Sequence, residues 1–84
     1  MTRIICGVDI SSASLQACIG QDGAAGSFTN NREGIAALAG FCRTHGVDMV
    51  AMEATGGYEK QSFALLSEQG LPVAILNPRC ASSL

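Results

Sequence analysis

Two carboxylates close apolar runs in this chain. Asp9 lies at the end of RIICGVDI (Arg3–Ile10), and Glu53 ends DMVAME (Asp48–Glu53). If those runs are neighbouring strands pointing the same way, both acids reach one edge of a sheet, where ligand sites of open α/β sheets lie. Carboxylates a few ångströms apart repel unless one takes up a proton or a cation sits between them. A hard divalent ion such as Mg²⁺ suits oxygen ligands. It uses one or two protein carboxylates and fills its remaining positions with water and phosphate. Two such ions about 4 Å apart can activate a water and steady the leaving oxygen in phosphodiester cleavage. Plainer roles fit the same residues: an Asp after a strand is often a turn former, and Glu53 can be a solvated cap or a partner for Arg79.

The elements between the acids decide whether they meet. Arg3–Ile10 is β-branched and apolar and reads as a buried strand. Leu15–Ile19 (LQACI) alternates apolar and polar, as a half-buried strand does. Ser11–Ser14 is a short turn between them, so the two are expected to pair antiparallel. Gln21-Asp22-Gly23 is a second turn, and Ala24–Thr29 a third, edge strand. Asn30 and Asn31 are helix N-caps. Behind them Ile35, Leu38, Ala39 and Cys42 form one apolar stripe, and His45-Gly46 ends the helix. Asp48–Glu53 is a fourth strand. Thr55-Gly56-Gly57 is a turn in which Thr55 can cap a helix over Tyr58–Gln69, with Phe63 and Leu66 turned inward. Gly70 stops that helix, and Pro72–Leu76 is a fifth strand broken by Asn77-Pro78. The pattern β-β-β-α-β-α-β predicts strand order 3-2-1-4-5, because strand–helix–strand units place parallel neighbours through right-handed crossovers. The first and fourth strands are then adjacent, about 4.8 Å apart. The apolar runs GVDI, MVAM and VAIL suggest a sheet covered on both faces.

Composition narrows the function classes. The chain has 84 residues, enough for one small domain or part of a larger one. It is 48% hydrophobic and 14% charged, against a usual charged fraction of about 25%. So little charge suggests that part of the surface is covered by more protein or by a second copy. The net charge of −2 argues against a basic nucleic-acid-binding face, which needs clustered Lys and Arg. Arg3, Arg32, Arg43, Lys60 and Arg79 are scattered. None of the four cysteines (Cys6, Cys18, Cys42, Cys80) is in CxxC spacing and His45 is the only histidine, so no zinc site is expected. Cys6, Cys18 and Cys42 read as reduced core thiols. No signal peptide or membrane span is read, and the cytoplasm is the expected compartment.

The motifs add up to a family resemblance. GVDISSASLQACI at 7–19, FTNNREGIAAL at 28–38, MEATGGYE at 52–59 and GLPVAILNPR at 70–79 resemble the DEDD transposases of the insertion-sequence one-hundred-and-ten family and the related Piv DNA invertases. The resemblance implies a ribonuclease H-like, RuvC-like α/β domain with an Asp-Glu-Asp-Asp metal site, followed by a domain with a catalytic serine. It implies DNA recombination in DNA transposition, with Mg²⁺ or Mn²⁺ as cofactor. The partners it implies are DNA and, for some members, a guide RNA. Asp9 matches the family's first acid and Glu53 its second. Its third and fourth acids follow the Asn-Pro-Arg motif, where family members often continue as a polar helix. This sequence reads Cys80-Ala-Ser-Ser-Leu84 there. Residues 1–84 are thus expected to be a partial, truncated RuvC-like domain that binds metal weakly and does not cleave DNA alone.

Smaller features leave alternatives open. Thr55 and Gly56 can offer backbone N–H groups to a phosphate, or simply form a tight turn. Arg79 can touch DNA or satisfy an acid. Tyr58 can stack on a base, though core packing suits the only tyrosine. Nothing near Ser11, Ser12 or Ser14 supplies a base for a nucleophile. Two other functions fit parts of the chain. An actin-like ATP-binding fold shares the opening strand, acid, turn and antiparallel strand, but it tends to have Gly in place of Ser11 and a second phosphate loop that is not found here. A non-catalytic module would self-associate as a homo-oligomer through apolar surface left beside the fifth strand.

Overall fold

The computed structural model describes residues 3–20, 23–53 and 57–76. The elements run β1 (Ile5–Ile10), β2 (Ser14–Ile19), β3 (Ala25–Thr29), α1 (Arg32–Thr44), β4 (Met49–Glu53), α2 (Glu59–Glu68) and β5 (Val73–Leu76). They form one mixed sheet in the order β3-β2-β1-β4-β5, as the sequence pattern predicts. β1 pairs antiparallel with β2 and parallel with β4.

The turns follow from local chemistry. The Ser11 amide donates to the Ser14 carbonyl (2.9 Å), and the Ser14 amide to Ser11 Oγ (3.1 Å), closing the β1–β2 hairpin. Asn30 is not a cap: its Nδ2 donates to the Ser11 carbonyl (2.8 Å) and its backbone amide to that of Ala13 (3.1 Å). It clamps the hairpin to the start of α1. Asn31 is the cap, its side chain accepting from the Gly34 amide at 2.7 Å.

Burial alternates strictly along β1 and β2. Cys6, Val8 and Ile10 are buried with Leu15, Ala17, Ile19, Val50 and Met52. These pack with Ile35, Leu38, Ala39 and Cys42 of α1 and Leu66 of α2 in a single cluster. Both helices therefore cover the same face, and Arg43 Nη2 ties them by donating to the Gln69 carbonyl at 2.7 Å. The sheet is not covered on both faces among the described residues: Ile5, Gly7 and Asp9 point the other way and are exposed. An apolar run does not reveal this when its outward positions hold Gly, Ala or Ile.

Three side chains differ from expectation. Cys18 is exposed, because its register opposite Gly7 puts it on the open face. α2 buries Glu59, Ser62 and Leu66, a stripe at i, i+3 and i+7. Phe63, one position round from Ser62, is left 39% exposed, and Tyr58 52% exposed. Tyr58 stands at the N-cap without a side-chain cap bond, and Glu59 Oε1 accepts from the Gly57 amide at 3.1 Å. The expected cap, Thr55, lies outside the described residues, as do Gly56, Arg79 and Cys80. Cys6 and Cys42 are buried as expected. Hydrogen bonding to Cys6 and burial push the Cys42 thiol up, so it stays protonated. No described helix is long and apolar enough to cross a membrane.

Gly34 fixes how closely α1 approaches the sheet. A Cβ there would fall within the Thr29 carbonyl. Gly40, on the same helix, faces open space. Gly34→Ala is therefore expected to destabilise the fold by about 1–3 kcal/mol through overpacking. Gly40→Ala should stabilise it by about 0.5–1 kcal/mol through helix propensity. Urea denaturation of the two variants would show opposite shifts in midpoint; a shared sign would contradict this packing.

Candidate metal centre

The register of β1 against β4 places the two acids. Cys6 lies opposite Val50, Gly7 opposite Ala51 and Val8 opposite Met52. Asp9 and Glu53 each follow by one residue, so they occupy equivalent positions on adjacent parallel strands, about 4.8 Å apart. Both are exposed on the face opposite the helices. The register is pinned at the other end of the strands. There the Ile4 amide donates to Asp48 Oδ2 at 2.8 Å, and the Asp48 amide to the Ile4 carbonyl at 2.7 Å.

An open cavity of about 570 Å³ lies over this edge, with Asp9 and Glu53 in its wall. Its floor is made of small residues. Ala25, Cys18, Gly7 and Ala51 stand in register across four strands, and Ala74 of β5 continues the row. Two residues further along, Gln16 stands opposite Asp9 and Leu76 opposite Glu53. The structure thus brings Asp9 and Glu53 together, as the sequence suggested. Gln16 and Cys18 also line the cavity, and neither is read from the sequence as a site residue, although the alternation in LQACI puts them on one face.

The donor set suits a hard cation. Two carboxylates supply oxygen, and the open cavity leaves room for water or phosphate at the remaining positions. Among the described residues, no group of three His, Cys, Asp or Glu lies close enough to hold a metal ion. Asp9 and Glu53 fall short of such a group, and the neighbouring Cys18 thiol is too soft to suit a hard cation such as Mg²⁺.

The sequence model of the IS110-type DEDD transposases, described as a transposase family, matches residues 6–84. The chain belongs to this family. The fold of this transposase chain is similar to that of RuvC from T. thermophilus, solved in complex with a Holliday junction substrate. The likeness has a TM-score of 0.64 at 14% identity and covers 92% of this chain. It covers 64% of the RuvC chain, so the transposase chain spans less than two thirds of that protein. At this identity the likeness shows the fold, a RuvC-like, ribonuclease H-like sheet. No curated protein sequence matches the chain. The family match decides against the actin-like alternative.

The face assignment can be checked chemically. With Cys80→Ser as background, Ellman's reagent is expected to titrate one thiol, Cys18, rapidly in the folded transposase chain. Cys6 and Cys42 should react only in denaturant. Rapid reaction of all three, or of none, would contradict the open face.

Proposed function

We propose that residues 1–84 form the first part of the RuvC-like domain of a DNA transposase, with Asp9 and Glu53 as two catalytic ligands of a Mg²⁺ or Mn²⁺ centre. The observation that carries this reading is the placement of those two acids, side by side on adjacent strand ends over one open cavity, in a chain of the DEDD transposase family. In the whole protein, further acids would complete the shell. The metal would supply an activated water and charge stabilisation for strand cleavage and transfer. Asp9 and Glu53 contribute hard oxygen ligands on a rigid sheet edge, with no side chain at Gly7 to obstruct approach from the floor. DNA is the proposed substrate, and a guide RNA is a second candidate partner. Backbone N–H groups at Thr55 and Gly56, with Arg79, are the proposed nucleic-acid contacts from this part of the chain.

The test is metal localisation. Substoichiometric Mn²⁺ added to the ¹⁵N-labelled chain is expected to broaden the amide signals of residues 7–9 and 51–53 first. Asp9→Asn or Glu53→Gln should remove most of that broadening. Broadening centred elsewhere, or unchanged by both variants, would overturn the assignment.

A second reading concerns assembly. Ile75, Leu76 and Ile5 are exposed, and β5 is an edge strand. Exposed edges and apolar patches favour association. The chain is expected to self-associate with rising concentration, and Leu76→Lys to reduce this. A monomer by light scattering at millimolar concentration would rule it out.

A further inference from the structure

The cavity wall holds a third oxygen-bearing side chain. Gln16 of β2 is the cross-strand partner of Asp9, on the same open face and in the same cavity. Directly opposed residues in an antiparallel pair have Cβ atoms about 4.5–5.5 Å apart. A glutamine side chain can cross that gap, so its amide can stand beside the Asp9 carboxylate. It makes no hydrogen bond to any described residue. On the far side of Asp9 stands Glu53, so the carboxylate is flanked by an acid and an amide. The residues beneath them on the floor (Gly7, Cys18, Ala51 and Ala25) carry no side-chain oxygen or nitrogen.

We propose that Gln16 is a positioning residue of the metal centre, its amide carbonyl oxygen facing the cation held by Asp9 and Glu53, directly or through one of the cation's waters. This inference rests on the metal reading of the two acids. Carbonyl oxygens are suitable ligands for Mg²⁺ and Mn²⁺. An amide also adds an oxygen without adding charge, so it does not increase the repulsion between Asp9 and Glu53 when the cation leaves. Its N–H groups remain available to hold the outer Asp9 oxygen, as groups around a metal orient its ligands.

The experiment is a Mn²⁺ titration of the 84-residue chain, followed by paramagnetic broadening at residues 7–9, with four variants beside the parent. Gln16→Leu keeps the bulk and removes the oxygen, and it is expected to weaken binding about tenfold. Gln16→Glu keeps an oxygen and adds charge next to the cation, and it should tighten binding. Ser27→Ala, in register with Gln16 on the same face but outside the cavity, should leave binding unchanged. Asp9→Asn reports on the metal reading itself. Loss of binding in Asp9→Asn with no change in Gln16→Leu, or no gain in Gln16→Glu, would overturn the role of Gln16 alone. Binding insensitive to Asp9→Asn, or absent from the parent, would overturn both. Amide spectra of each variant that match the parent outside residues 7–18 exclude misfolding as the cause.

Discussion

The parallel register between β1 and β4 is the constraint on which the rest depends. It is set at the N-terminal ends of the two strands by the reciprocal hydrogen bonds of Ile4 and Asp48, and its consequence is felt at the C-terminal ends. Side chains alternate between faces, so a slip of one residue would send Glu53 to the helix side and bring Met52 to the open side. That slip would bury a carboxylate where Met52 now packs and expose an apolar side chain. The hydrophobic pattern and the proposed chemistry therefore select the same register. Met52, almost fully buried against Ser62, does as much to place Glu53 as any group near the acid.

The other strands extend the same logic sideways. Through the β1–β2 and β2–β3 registers, the row beneath Asp9 becomes Gly7, Cys18 and Ala25; through β4 and β5 it becomes Ala51 and Ala74. No single strand shows that the floor is shallow, because each contributes one small residue. The helix face has the opposite character. There Gly34 lets α1 approach the Thr29 carbonyl closely, and bulky Ile, Leu and Met side chains fill the space behind.

The sequence revealed the order of elements because each has its own local signal. Alternation marks Leu15–Ile19, the Ile35/Leu38/Ala39/Cys42 stripe marks α1, and Gly46 and Gly70 end their helices with positive φ. The pairing of Asp9 with Glu53 followed from that order alone. Three-dimensional choices between near-equivalent positions were not legible. Whether α2 buries Phe63 or Ser62 depends on which stripe meets Met52, and Ser62 Oγ lies 3.8 Å from Met52 Sδ. Cys18 has the composition of a core residue, but its neighbours Ala17 and Ile19 hold the buried positions of the strand. The open face was hidden because Gly7 and Ala51 look apolar in a one-dimensional reading.

Under the proposed function, charge explains why the site lies on an open face and takes up a cation before it meets a phosphodiester. None of the described basic residues lines the cavity, and Arg43 is engaged with Gln69 on the helix side. Two carboxylates on a surface of net charge −2 would repel a phosphate approaching them bare. A divalent cation between the acids cancels their charge and leaves coordination positions that phosphate oxygen can take. On the proposed reading, cation binding therefore precedes substrate binding at this edge. Burial on the helix side would instead add the cost of taking two carboxylates out of water. The solvated, small-floored face keeps both acids accessible.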